Sequence, residues 1–465
     1  MRHHRIYLNA FEMNCVGHQS PGLWTHPDDE AHRYTDIDYW ADLACTLERG
    51  RFDAVFLADV LGIYDVYQGT RDAAVRDAVQ VPVNDPMFVV PVMAQVTKHL
   101  GFGVTASVSY EHPYIFARRM STLDHLTKGR VGWNIVTSYL DSAARNIGLS
   151  RQVSHDERYE IAEEFLEVCY KLWEASWEDG AVVRDKDRRT YTDPSKVHDI
   201  QHRGTYYTVP GAHLCEPSLQ RTPVLFQAGA SARGRAFAAR HAECVFISSP
   251  TIPATRAYVD GLRKEAAKIG RDPNEIRVFS LFTPIVGRTQ AEAEQKSLDY
   301  ARHVSYDGAL ALYGGWSGVD FSKYAADENL RYVQNDAIHS ATEVFTKMDP
   351  NRSWTVEQVA KFAGIGGRGP VVVGTPGVIA DTMEKWVNEA DVDGFNIGYA
   401  VTPGTFVDFV DLVVPELQHR GLVWTEYASD TLRGNLFGGS SRLQPHHPGR
   451  QYHLHDDATR LHEAT

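Results

Sequence analysis

The sequence predicts an α/β protein: a (β/α)8 TIM barrel with long insertions at the C-terminal face. Three observations predict it. Eight short apolar runs alternate with stretches of helical period. No G-x-G-x-x-G follows the first run, which weighs against an open dinucleotide-binding sheet. Polar residues gather at the C-terminal ends of five runs, the end at which a closed parallel barrel presents its ligand face.

Taken in chain order, Ile6–Glu12 is the first run. A helical stretch from Ile37 to Arg49 leads to the second, Phe52–Asp59 (FDAVFLAD). A helix around Met87–His99 precedes Gly101–Tyr110, and Ala117–Leu126 precedes Val131–Ser138 (VGWNIVTS). Pro223–Gly229 (PVLFQAG), Cys244–Ser248, Arg277–Gly287 and Asp393–Ala400 (DGFNIGYA) complete the set. Eight such units fit a closed parallel barrel better than an open sheet. The spacing predicts one barrel domain over residues 1–437, with insertions near 62–85, 139–222 and 303–370. The second insertion holds a strong helix, Asp156–Glu174, and strand-like Thr205–Val209. Loops this long inside a compact domain are usually functional. Residues 438–465, rich in His, Arg, Gly and Ser, read as an extended C-terminal tail.

Composition excludes several classes. The net charge is −13 and no basic cluster appears, which argues against nucleic acid and against an anionic membrane surface. No apolar stretch approaches the roughly 18 residues of a membrane span. The opening Met-Arg-His-His-Arg has charge but no apolar region after it, so no signal peptide is expected. Cys15, Cys45, Cys169, Cys215 and Cys244 are scattered without a C-x-x-C, so neither a disulfide framework nor a zinc site is expected, and a cytoplasmic setting is the simplest. The histidines form no H-E-x-x-H, and no metal is expected.

The strand-end polar residues are Glu12 and Asn14, Asp59, Thr105 and Ser107, Asn134 and Thr137, and Gln227 and Ser231. Any one of them is explained by capping a helix or pairing with backbone. Their recurrence on five strands points to a ligand. In QAGAS-x-R-G-R (227–235) a strand ends at Gly229 and Ser231 opens a helix, which suits either a phosphate site or a plain N-cap. His155 and Tyr159 stand four residues apart in SHDERYE and project from one helical face, toward a phosphate or a ring edge. Ser154 and Glu157 form an expected capping box. Cys15 and His18 follow the first strand, but no orienting acid or oxyanion hole accompanies them, so they read as pocket lining rather than as a nucleophile and its base. The Gly-rich 364–369 (GIGGRG) precedes a strand-like Pro370–Gly374, and reads as a flexible joint.

NAFEMNCVGH (9–18), ARRMSTLDHLTKGRVGWNIVTS (117–138), SHDERYE (154–160) and HLCEPSLQRTPVLFQAG (213–229) together resemble the bacterial luciferase-like flavin monooxygenases. The likeness runs from Ile6 to Phe437, within the branch of nitrilotriacetate, dibenzothiophene sulfone, dimethyl sulfide and long-chain alkane monooxygenases. It implies reduced FMN and O2 as co-substrates, a flavin C4a-(hydro)peroxide as the oxygenating species, a separate NAD(P)H:FMN reductase and a homodimer or homotetramer. It also implies that Asp59, Thr105, Asn134, Thr137, His155, Tyr159 and Ser231 contact FMN, with Ser231 and Tyr159 at its phosphate. Cys15, His18 and Tyr139 fall on the substrate side. Tyr139 and Leu312 stand where the alkane enzymes carry histidines, and VTSYLDSAARN (136–146) is closer to the dimethyl sulfide branch. The implied substrate is a small hydrophobic or organosulfur compound of the dimethyl sulfide type. Long-chain alkane hydroxylation is the alternative, then sulfone or aminopolycarboxylate oxygenation. Deazaflavin-dependent reductases share the scaffold and form a rival class.

Overall fold

The computed structural model describes residues 5–229, 231–328, 330 and 354–454. Eight parallel strands close into a barrel: β1 (Tyr7–Met13), β2 (Ala54–Ala58), β3 (Gly101–Ser107), β4 (Val131–Val136), β5 (Val224–Gln227), β6 (Cys244–Ile247), β7 (Arg277–Val286) and β8 (Gly394–Ile397). Neighbours pair in the order β6-β5-β4-β3-β2-β1-β8-β7, and β6 pairs with β7 to close the ring. Each strand lies on one of the eight expected apolar runs. A short extra strand, Val371–Gly374, pairs with the far end of β7.

The helices α1 (Ile37–Arg49), α2 (Val90–Val96), α3 (Pro113–Thr127), α4 (His155–Tyr170), α5 (Ala232–His241), α6 (Ile252–Lys268), α7 (Gln290–His303), α8 (Tyr306–Ser317) and α9 (Pro376–Ala390) carry the main connections. In α1, Asp36 caps the first turn by accepting from the Asp38 N–H, and Tyr39, Trp40, Leu43, Ala44 and Leu47 form the buried stripe. The capping box expected at the start of α4 is not formed. Ser154 makes no side-chain cap bond, and the turn is held by the Arg158 N–H donating to the Ser154 carbonyl.

The barrel interior is filled, chiefly by Phe11, Phe56, Phe226, Phe279 and Leu281. Glycine makes room for these rings: a Cβ on Gly132 would sit 2.6 Å from the Phe226 ring. The opposite end is plugged by helix Leu432–Phe437, whose Leu432 and Leu436 join the interior cluster. Beside them Arg433 is wholly buried against Glu243, at 2.7 and 2.9 Å, and also donates to the Thr222 carbonyl at 3.0 Å.

The expected tail is not extended along its described part. Leu443 is buried, the His447 ring pairs with the His241 carbonyl, and Tyr452 stacks on Tyr170. Apolar and aromatic residues spaced through the polar stretch dock it on α4 and α5. Residues 455–465 lie outside the described residues, as do 329 and 331–353 of the third expected insertion.

The three insertions share a core of their own. Tyr64, Tyr67 and Val79 from the first pack with Leu140 and Ala143 from the second and with Leu310, Trp316, Phe321 and Val359 from the third. These residues follow β2, β4 and β7, so their common core sits as a cap over the C-terminal rim.

The Arg433–Glu243 pair gives a test of the plugged end. Arg433→Met strands a buried carboxylate and should cost about 3–5 kcal/mol. Urea denaturation should show a clearly lowered midpoint, and an unchanged midpoint would mean that the plug does not depend on the pair.

Candidate active site

Beneath the cap, at the strand ends, lies a cavity of about 290 Å³. It brings together seven of the expected residues: Asp59, Thr105, Thr137, Tyr139, His155, Tyr159 and Ser231. Ser107 and Gln227 of the strand-end set line it too, and it adds three that sequence reasoning passed over, Arg158, Tyr258 and Arg368. A second cavity of about 290 Å³ adjoins it, sharing Asp59, Thr105 and Ser107 and lined further on by Asp85, Glu111 and Arg119.

One end of the first cavity is a cradle at the start of α5. Ser231 caps the helix by accepting from the Gly234 N–H at 3.0 Å. A Cβ on Gly234 would lie 2.6 Å from the Tyr159 hydroxyl, and one on Gly229 3.1 Å from it. The absence of side chains there lets the Tyr159 hydroxyl and the Gln227 amide come close to the backbone at a helix N-terminus on the cavity wall. The Tyr258 hydroxyl holds the Gly229 carbonyl at 2.6 Å, turning that acceptor away. Burial raises the Tyr159 pKa, while the Ser231 hydroxyl and the Arg158 and Arg233 charges draw it back. His155 packs edge-on against Tyr159, and its Nδ1 lies 2.8 Å from Asp156.

Asp59 stands where the two cavities meet. One oxygen accepts from the Val60 N–H at 2.9 Å. Burial, and then the like charges of Asp85 and Glu111, raise its pKa to about 7. Arg119 pairs with Glu111 across the second cavity.

Three expected residues do not line the main cavity. Asn134 lies one layer deeper and donates to Thr105 Oγ1 at 2.8 Å. His18 is packed against Phe11, whose ring in turn meets Phe246 of the cavity wall. Burial lowers its pKa to about 3, so the ring is neutral. Cys15 is bridged to Val83 and covered by the first insertion. Burial, with the Glu12 and Asp59 carboxylates, pushes its thiol well above the usual range, the opposite of an activated nucleophile. The pair fails as pocket lining because the chain after β1 folds under residues 79–83 instead of along the rim.

The 364–369 turn is no loose joint either. The Gly367 N–H donates to the Gln19 carbonyl at 2.9 Å and the Gly366 N–H to Ser20 Oγ at 3.2 Å. The turn aims Arg368 at the cavity, with its guanidinium over the Trp316 ring. Its two left-handed glycines, Gly366 and Gly367, were the available signal.

The model of luciferase-like monooxygenases matches residues 15–393. The chain belongs to the luciferase-like monooxygenase family. Among its relatives is a dimethyl-sulfide monooxygenase of Hyphomicrobium sulfonivorans, 53% identical over 96% of this chain and 94% of that one. A long-chain alkane monooxygenase of Geobacillus thermodenitrificans is also 53% identical, over 96% and 98%. A solved riboflavin lyase, with modified FMN and its substrate riboflavin, superposes with a TM-score of 0.91 at 36% identity, covering 97% of this chain and all of that one. No helix among the described residues is long and apolar enough to cross a membrane.

The Asp59 environment has a sign that can be checked. Its folded pKa is raised from an ordinary 3.8, so its contribution to stability is complete below about pH 4 and is lost as pH rises through 7. Against Asp59→Asn, the wild type should therefore lose relative stability between about pH 4 and 7 and then level off. Thermal melts across that range check it, and a constant difference would contradict the placement of Asp59 among Asp85 and Glu111.

Proposed function

We propose that this chain is the oxygenase of a two-component system that takes reduced FMN from a separate NAD(P)H:FMN reductase and, with O2, oxygenates a small organosulfur compound of the dimethyl sulfide type. The observation that carries the flavin reading is the cradle at Ser231. A phosphate needs donors converging on one point of the cavity wall, and the start of α5 with the Ser231 and Tyr159 hydroxyls, brought against the backbone by the bare Gly229 and Gly234, provide that. Arg158 on the same wall adds positive charge. In this reading Ser231 and Tyr159 hold the phosphate, and His155, Thr137, Thr105 and Asp59 lie along the rest of the cofactor, with Asn134 orienting Thr105.

Bound reduced FMN supplies the electrons that activate O2. The protein's own work is placement and exclusion of water. The shared core of the three insertions covers the rim, which keeps solvent from the reacting atoms. Val60, Leu61, Ile135, Leu140 and Ala143 give the cavity apolar walls suited to an uncharged sulfide. Tyr139, tied to Tyr64 at 2.9 Å, closes the cap side. That closure favours a short substrate over an extended alkyl chain. The equal identity to an alkane monooxygenase supports long-chain alkane hydroxylation as the second reading.

The test supplies reduced FMN from a reductase under air, with dimethyl sulfide, diethyl sulfide, hexadecane, a sulfone and an aminopolycarboxylate in separate reactions, and quantifies product and hydrogen peroxide. Sulfide consumption coupled to NADH use is expected, with little peroxide released. Turnover of hexadecane alone would favour the second reading, and peroxide as the sole outcome across the panel would overturn the oxygenase assignment.

A further inference from the structure

Tyr139 lines the cavity on the cap side beside Arg368, and its neighbours decide what its hydroxyl offers. The Gln80 amide is fixed first: its Nε2 donates to the His18 carbonyl at 3.0 Å, so its Oε1 faces the other way. Tyr64 donates its single hydroxyl hydrogen to that Oε1 at 2.8 Å. Trp316 Nε1, which can only donate, gives its hydrogen to the Tyr64 oxygen at 3.1 Å. The remaining contact of Tyr64 is the Tyr139 hydroxyl at 2.9 Å. With the Tyr64 hydrogen spent on Gln80, the hydrogen between the two phenols must come from Tyr139.

The backbone is bent to keep this order. Gln80 sits at φ 51°, a left-handed conformation that a side chain-bearing residue adopts at a cost, and its N–H is held by the Gly17 carbonyl at 2.7 Å. Tyr64, Gln80 and Trp316 are all buried, so water does not compete for their hydrogens. Burial also pushes the Tyr139 pKa to about 12, so it keeps its hydrogen at neutral pH.

We propose that Tyr64 and Gln80 are positioning residues that turn Tyr139 into a one-way hydrogen-bond acceptor, so that this one polar point on the cap side receives a hydrogen and turns away a lone-pair oxygen, while an uncharged sulfide sulfur rests on the apolar walls. The proposal rests on reading the Tyr139 end of this cavity as the substrate site. An alcohol or thiol hydrogen is received there. A carbonyl or sulfoxide oxygen at the same point meets lone pairs and is disfavoured. Arg368 lines the same cavity and is unchanged in every variant, so the comparison between variants isolates Tyr139.

Acetone and 2-propanol have nearly the same shape and differ in the hydrogen. Their dissociation constants can be measured by ligand-observed NMR on the full chain, with no turnover required. Tyr64→Phe frees the Tyr139 hydrogen to point into the cavity. Gln80→Met lets Tyr64 give its hydrogen to Tyr139, with the same result. Each should shift the affinity ratio toward acetone about fivefold, the size of one ordinary hydrogen bond. Measured against Tyr139→Phe alone, the double variant Tyr64→Phe/Tyr139→Phe should show no further shift. An unchanged ratio in both single variants, or a shift between Tyr139→Phe and the double variant, would overturn the proposal. If neither probe binds the wild-type cavity, the reading of the cavity as the substrate site falls, and the proposal with it. The product assay tests oxygenation separately, so the two failures are distinguishable.

Discussion

A barrel whose centre is packed with phenylalanine leaves its ligands only one place to go. Phe11, Phe56, Phe226 and Phe279 occupy the interior, and helix Leu432–Phe437 seals the far end. Polar groups that the strands carry at their C-terminal ends are therefore forced to the rim, where they must be covered if the site is to be dry. The cap is the answer to that constraint. It is not one loop folding over but three insertions, following β2, β4 and β7, that stabilise one another through a common apolar core. None of the three buries its apolar residues alone.

The two ends of the site differ electrically. The cradle end gathers α5, Arg158 and Arg233 around two hydroxyls, a setting for an anion. The junction with the second cavity gathers Asp59, Asp85 and Glu111, relieved in part by Arg119. An elongated molecule with a phosphate at one end and an uncharged ring at the other matches that gradient, and burial raises the Asp59 carboxyl toward its neutral form beside such a ring.

The eight strands were legible because each is an apolar run of strand length, and Asp59, Thr105, Thr137 and Ser231 could be placed on the rim from the polar ends of five of them. His155 and Tyr159 were marked by their spacing of four on one helical face, and Tyr139 came with the family motifs. What sequence did not reveal depends on contacts between distant segments. Arg368 reaches the cavity only because the Gly366–Gly367 turn is pinned to Gln19 and Ser20, more than three hundred residues away. The one-way chain from Tyr139 needs residues 64, 80 and 316 at once. Cys15 and His18 misled because a motif states which residues are near the site, not which side of Phe11 they occupy. The tail misled because its composition is polar while its docking rests on a few residues, Leu443, His447 and Tyr452.

The central claim is that a phosphate-bearing flavin lies across this cavity with its anionic end at Ser231. A crystal structure of the chain soaked with FMN tests it most directly. The account predicts the phosphate within hydrogen-bond reach of the Ser231 and Tyr159 hydroxyls, and the ring extending toward Thr105 and Asp59. Flavin density elsewhere, or a phosphate at the opposite end of the cavity, would contradict it.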